Sequence, residues 1–168
     1  SLYNNQTIRG NLTIGDGVSS ALVQFANDPL DNRIADTSTI TINQGSTFDL
    51  NNNFDTVGGL NLTGATVTLG LEGTLQLTGD VTVNAGTSTI SGYQFSMTTD
   101  NSTRNFNVAN GGTLNVGAQV TTGSLVKQGE GTMILTGNNI YTGTTTVSNG
   151  VLDIRSNTAL GSTIGGTT

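Results

Sequence analysis

The phrase Gly112-Thr113-Leu114-Asn115-Val116 returns as Gly131-Thr132-Met133-Ile134-Leu135, and returns again as Gly150-Val151-Leu152-Asp153-Ile154. Related phrases follow Gly45, Gly64 and Gly73. The interval between the three quoted phrases is constant, and the same interval separates Gly45 from Gly64. A fixed repeat of about 19 residues indicates that one structural unit is repeated along the chain.

Each phrase predicts a short β-strand with one buried face, because large apolar residues alternate with small or polar ones. Glycine precedes nearly every strand, and pairs such as Asn149-Gly150 mark turns that need a positive φ angle. An array of hairpins has a similar turn spacing, but a constant repeat is typical of coils whose equivalent residues stack. We therefore predict an all-β, single-stranded parallel β-helix, or β-solenoid, of about 19–22 residues per coil and about eight coils, with a right-handed turn as the expectation.

The alternation also predicts which side chains face the interior. They are the large apolar members of each phrase, and they are Ile40, Ile42, Phe48, Leu50, Leu60, Leu62, Val67, Leu69, Leu75, Leu77, Val81, Val83, Ile90, Phe95, Met97, Phe106, Val108, Leu114, Val116, Met133, Leu135, Val147, Leu152 and Ile154.

The composition fits a folded β protein and excludes several kinds of site. Of 168 residues, 24 are Gly and only 10% are charged, and the many β-branched residues argue against disorder. Cys and His are absent, which excludes disulfides, thiolate or imidazole metal sites and His-dependent nucleophiles. The net charge is −6 and the five basic residues are scattered, so we expect no nucleic-acid partner. No apolar run is long enough to span a bilayer, so we expect no membrane insertion of this segment.

The chain divides into an irregular start and a repetitive remainder. Residues 1–36 predict leading coils or a cap with a polar loop, with short strands at residues 7–8, 12–14 and 21–25. Residues 37–168 predict the repetitive β-helix, although the alternation is less regular over residues 91–110. The chain begins at Ser1 without Met and stops in mid-phrase, so we expect it to be a piece of a longer protein.

Few residues suggest a catalytic or ligand-binding site. Asp28, Asp31 and Asp36 surround Arg33 in the polar loop, where they could coordinate Ca²⁺ or hold an acidic sugar, although a solvated loop is the simpler interpretation. Glu72, Glu130 and Lys127 are expected to be surface charges at turns, and Tyr141 is expected to be a packing residue. We expect no enzyme activity, no cofactor and no bound metal.

Residues 123–154 closely resemble the passenger-associated transport repeat, also called the autotransporter-associated β-strand repeat. The resemblance extends to flanking segments and covers roughly residues 55–168. The residues that carry the repeat motif are Leu125, Lys127, Gly129, Gly131, Thr132, Met133, Leu135, Gly137, Asn139, Tyr141, Gly143, Thr146, Val147, Gly150 and Leu152.

The resemblance implies a β-helical segment of a bacterial protein that is displayed on the cell surface or secreted. We expect a structural and adhesive stalk whose repeat aids folding and export of the passenger, and whose partners are host or matrix surface molecules or sibling copies. One alternative is a β-helical carbohydrate-active enzyme, a lyase or hydrolase that uses the loop of Asp28, Asp31 and Asp36. Another is a subunit that assembles into an extracellular fibre, as a homo-oligomer joined through its coil ends.

Overall fold

A computed structural model describes residues 7–26, 32–97 and 101–163, and in these residues it contains β-strands and no α-helix. The paired strands are parallel throughout, and each strand pairs with its equivalent one coil further along the chain. The all-β parallel β-solenoid predicted from the sequence is therefore confirmed. No helix in the described part of the chain is long and apolar enough to cross a membrane.

The strands lie on three faces, and each coil contributes a strand segment to faces 1 and 2, whereas only four of the described coils also contribute a strand to face 3. Face 1 consists of β1 (Leu12–Ile14), β3 (Thr39–Ile42), β6 (Gly59–Thr63), the first part of β9 (Val81–Ser91), β11 (Thr103–Val108), β14 (Ser124–Gln128) and β16 (Thr145–Val147). Face 2 consists of β2 (Leu22–Gln24), β4 (Thr47–Asp49), β7 (Thr66–Thr68), the second part of β9, β12 (Gly112–Val116), β15 (Thr132–Leu135) and β17 (Val151–Ile154). Face 3 consists of β5 (Phe54–Val57), β8 (Thr74–Leu77), β10 (Gln94–Ser96) and β13 (Gln119–Thr121).

The regular repeat of the sequence is the stacking register of face 2. Thr113 pairs with Thr132, which pairs with Val151, and Thr47 pairs with Thr66 in the same way. Residues with the same place in the repeat therefore lie directly over one another, as the sequence predicts.

Two coils are longer than the sequence predicts. Leu12 stacks on Ile40, 28 positions on, and Val81 stacks on Phe106, 25 positions on. Because the long coils take up more chain, face 1 has seven strands and the described stack about six turns, so the expectation of about eight coils was wrong. The handedness of the coil stays a prediction.

The core is a set of apolar columns that run along the stack. The predicted inward residues from Ile40 to Leu135 are all buried. Three of the predicted inward residues at the last described coil lie on the predicted side but are not fully buried: Val147 and Ile154 are 37% and 52% exposed, and Leu152 is only partly buried. These three residues occupy the inward columns of β16 and β17, the last strands described, and no further described coil covers them.

Of the three strands predicted in the first 36 residues, β1 has the predicted bounds and the other two are shorter than expected. The pattern predicted strands at residues 7–8 and 21–25, whereas Ile8 makes a single parallel bridge with Ile34 and the second strand is β2. Phe25, just after β2, packs edge-on against Phe48 with 5.3 Å between the ring centroids, so the first coil still joins the common core.

Candidate functional site

Residues 123–154 occupy the last two coils of the described stack. They form β14 and β15, then a segment beside face 3 without a strand of its own, then β16 and β17. The motif residues Leu125, Met133 and Leu135 face the core, whereas Thr132 and Thr146 are half-buried on the outer side.

Lys127 is fully buried, so its expected place at the surface was wrong. It stands in an inward column of face 1, between Phe106 of the coil below and Val147 of the coil above. Its Nζ donates hydrogen bonds to the carbonyl oxygens of Gln128 (2.7 Å), Gly129 (2.7 Å) and Asn149 (3.1 Å). Burial lowers the pKa of Lys127, while the three carbonyls stabilise the charged form. The ammonium thus ties the turn after β14 to the turn after β16.

Asn139 makes a second tie, at the corner that leads into face 3. Its Oδ1 accepts the backbone N–H of Val120 in the coil below at 2.8 Å, and its Nδ2 donates to the carbonyl of Ala159 in the coil above at 2.6 Å. The side chain is 3% exposed. One buried amide therefore joins three successive coils.

Tyr141 packs inside the last coils, as the sequence predicts. Its ring is fully buried, and its hydroxyl shares a 2.7 Å hydrogen bond with the Thr145 hydroxyl. Burial raises the pKa of Tyr141, and the Thr145 hydrogen bond opposes that rise. Gly161 lies against the ring, where a Cβ atom would come within 3.0 Å of the ring carbon Cγ.

Thr145 is a buried residue of the segment 123–154 that the sequence motif does not include. It is 1% exposed and faces the core, whereas the neighbouring Thr146 is half-buried and pairs with Val126 on the outer side. The period of two could have found it, because Thr145 shares the side of Val147.

The motif glycines lie where successive turns approach too closely for a side chain. A Cβ at Gly143 would be 2.2 Å from Ser124 Oγ and 2.3 Å from the carbonyl oxygen of Gly123. Gly129 and Gly150 also have positive φ angles, and a Cβ at Gly150 would be 2.3 Å from the Gly129 carbonyl oxygen. Gly131 and Gly137 are similarly crowded. The motif therefore has glycine at the positions where the stacked turns leave no space for a Cβ atom.

The structure describes only part of the acidic loop. Asp28 and Asp31 lie outside the described residues. Asp36 is half-buried, and its carbonyl oxygen accepts the Thr78 hydroxyl at 2.6 Å. The Arg33 guanidinium donates to the Ala26 carbonyl at 3.3 Å and lies over the Phe25 ring. Within the described ranges, no group of three or more acidic residues lies close enough together to hold a metal ion.

Asp55 is a buried acid that the sequence analysis did not single out. It is fully buried at the start of an inward column that continues through Leu75, Phe95 and Val120. Its Oδ2 accepts the backbone N–H groups of Arg33 (2.8 Å) and Ile34 (3.2 Å). Desolvation raises the pKa of Asp55 to about 7, against the opposing effect of these hydrogen bonds and of the Arg33 charge. The signal available in the sequence was an acid at an inward position of the repeat.

A shallow groove runs along the corner between faces 1 and 2. It has a volume of about 370 Å³ and is lined by small or neutral side chains of three successive coils, namely Gln44, Gly45, Thr63, Gly64, Ala85, Gly86 and Thr87. Its lining contains no charged or aromatic group that would select a ligand.

Fold and site together define a class of protein, a parallel β-solenoid whose last described coils are joined by buried polar side chains. Residues 125–154 match the family model described as the passenger-associated-transport-repeat, the repeat that the sequence motif resembles. The match covers 30 of the 168 residues. No curated protein and no solved structure matches the chain. The repeat and the solenoid fit a segment of an autotransporter passenger, a kind of protein that is surface-displayed or secreted.

Proposed function

We propose that this chain is a non-catalytic stalk segment of a surface-displayed or secreted protein, and that its repeat at residues 125–154 assists folding during export. The observation that carries the proposal is the set of buried hydrogen bonds of Lys127, which joins its coil to the next one, and of Asn139, which joins its coil to both neighbours.

The contacts between coils are local in sequence, which suits folding of an emerging chain. Side-chain hydrogen bonds between neighbouring coils span distances such as the 19 positions between Asn139 and Val120 and the 28 between Thr39 and Asn11. Each coil can therefore dock as soon as one more coil length has emerged. A coil that has docked outside a membrane resists sliding back, so folding would bias the movement of the chain outward.

The test compares export of destabilised and control segments. The 168-residue segment would be fused to the translocator of an autotransporter and expressed in a Gram-negative host. Lys127→Met combined with Asn139→Leu should slow the arrival of the segment at the cell surface and leave it sensitive to proteinase K. Gln128→Met changes an outward neighbour of Lys127 and is the matched control. Equal display of the double variant and wild type, with the double variant shown to be destabilised in solution, would refute the export role.

The adhesive part of the proposal concerns the outer surface of the stack. Host or matrix surface molecules are the proposed partners, since the outward positions of face 2 present neutral hydroxyl residues such as Thr66, Thr89 and Thr113 without a basic cluster that would select nucleic acid. Binding of the purified segment to a cell monolayer and to an immobilised matrix preparation tests this. Binding no greater than that of an unrelated solenoid would refute it.

Self-association is a second candidate, favoured by apolar side chains exposed on the last two strands described. Val147, Val151 and Ile154 are exposed on β16 and β17, and an uncovered strand edge is a template for pairing with another chain. Sedimentation velocity over a wide concentration range should show growing species, and Val151→Lys together with Ile154→Lys should suppress them. A sedimentation coefficient independent of concentration would exclude this candidate.

The enzyme alternative has a direct test. Polygalacturonate and alginate would be incubated with the segment, with and without Ca²⁺, and depolymerisation followed. We expect no turnover. Turnover that disappears in the Asp31→Ala variant would overturn the non-catalytic proposal and assign the chemistry to the acidic loop.

A further inference from the structure

We propose that Asp55 makes the attachment of the N-terminal coil pH-dependent, firm when its carboxyl group is protonated and weaker when it is ionised. The N-terminal coil is defined here as residues 7–26 and 32–36. The inference is independent of the proposed export role.

The geometry places Asp55 at the joint between the first and second coils. Its Oδ2 holds the backbone N–H groups of Arg33 and Ile34, and Ile34 in turn bridges to Ile8. The carboxyl group is therefore a side-chain contact through which β5 holds the backbone of Arg33 and Ile34, where the first coil returns to face 3. Nearby, Asn53 Nδ2 donates to the Ala26 carbonyl at 3.1 Å. Polar contacts therefore contribute to the joint between the first two coils, whereas the interior of the later coils is mainly apolar.

The surroundings of the same carboxyl group disfavour its ionised form. Its Oδ1 is buried and accepts no hydrogen bond of good geometry, the backbone N–H of Thr56 opposes the desolvation only in part, and the next residue of its column is Leu75. An ionised carboxylate needs donors at both oxygens, whereas the protonated group keeps the two bonds at Oδ2 without a buried charge.

The charged group that acts on Asp55 from the packed elements described is Arg33. Its guanidinium favours the ionised form, but it is held on the Ala26 carbonyl and the Phe25 ring. The elements above Asp55 contribute Leu75 and Phe95 to its column and no charge. Asp28 and Asp31 precede this joint in the sequence and lie outside the described residues, so their titration needs a control of its own.

The direction of the effect follows from linkage. The pKa of Asp55 is raised from 3.8 to about 7 in the folded chain, so the folded state binds the proton more tightly. The stabilisation is fully present below the unfolded value and is lost as the pH rises through the folded value. Between about pH 5 and about pH 7.5, the equilibrium constant for opening of the joint should rise on the order of 50- to 100-fold.

Hydrogen exchange followed by mass spectrometry on the full chain tests this. After correction for the intrinsic exchange rates at the two pH values, peptides from the N-terminal coil should show the rise, and peptides from β11 to β15 should not. Asp55→Asn, an uncharged group of the same shape, should abolish the pH dependence. Asp28→Asn combined with Asp31→Asn should retain it.

Three results would overturn the proposal: a wild-type joint with no pH dependence, an Asp55→Asn variant that keeps it, or a control variant that loses it. Should Asp55→Asn fail to fold, the ¹³C chemical shift of the Asp55 carboxyl carbon in the wild-type chain decides. A titration midpoint near 7 supports the proposal, and one near the ordinary value of about 4 refutes it.

Discussion

Replacing Lys127 with Met would show whether the buried ammonium stabilises the repeat. Methionine keeps a long unbranched stem between Phe106 and Val147, so the apolar packing of the column is largely retained. What is lost is the charge and its hydrogen bonds to the carbonyl oxygens of Gln128, Gly129 and Asn149.

Two large effects oppose each other at this position. Hydrogen bonds to a charged group contribute about 1.5–3 kcal/mol each, whereas burying an ammonium costs several kcal/mol. The Met variant removes both, and it also leaves three carbonyls without their donor. Because the neighbouring turn residues are exposed, water can reach part of that corner, which limits the penalty. We expect a net loss of about 2–4 kcal/mol in the free energy of unfolding, or roughly 5–15 °C in the melting temperature of a chain of this length.

Urea unfolding measured by circular dichroism, together with hydrogen exchange of β16 and β17, measures the effect globally and locally. Gln128→Met is the control, since it removes the outward hydrogen bond from Gln128 Nε2 to Asn105 Oδ1 and should change stability by less than about 1 kcal/mol. A Lys127→Met variant as stable as the wild type, or more stable, would refute the reasoning. Desolvation would then outweigh the three hydrogen bonds.

Further substitutions test the other contacts of the repeat. Asn139→Leu should lower the free energy of unfolding by about 2 kcal/mol, because it breaks the ties to the coils above and below, and urea unfolding would detect it. Gly143→Ala should lower the melting temperature by more than Asn139→Leu does, because its Cβ has no space between the turns; an unchanged melting temperature would contradict the stacking. Tyr141→Phe should cost about 1–2 kcal/mol by leaving the buried Thr145 hydroxyl without its partner, as measured by calorimetry. Arg155→Ala should leave the unfolding midpoint unchanged, because its ion pair with Asp153 is exposed.

The sequence predicts the stack well where the repeat is regular. Thr113, Thr132 and Val151 are equally spaced, and strands of equal spacing with one apolar side can stack without a change of register. The long first coil and the coil after Val81 could not be derived in the same way, because residues 1–36 and 91–110 lack the repeat. The exposure of Val147 and Ile154 could not be predicted either. The alternation indicates which side of the strand a residue faces, but not whether another coil covers it.

The buried polar residues could not be predicted from polarity, because charged side chains are rarely found in the core unless they are paired. Lys127 and Asp55 lie at inward positions of the alternation, but only the folded turns show their backbone partners. In both cases the partners are backbone groups. Because nearly every residue has the same backbone groups, the sequence does not show which of them the side chain will meet. The resemblance to the transport repeat marks Lys127 as a motif residue without giving its environment.

These polar groups help to explain why the stack has a single register. The apolar columns contain Ile, Leu, Val and Phe at equivalent places, and such residues pack acceptably against several neighbours, so hydrophobic burial alone discriminates weakly between alternative pairings of coils. Lys127 and Asp55 discriminate strongly, because a shifted coil would leave a buried charge or carbonyl without its partner. Asp55 acts at the joint of the first coil, and Lys127 and Asn139 act at the last coils described. We infer that the ties specify register near both ends of the described stack, while the apolar columns between them supply most of the stability.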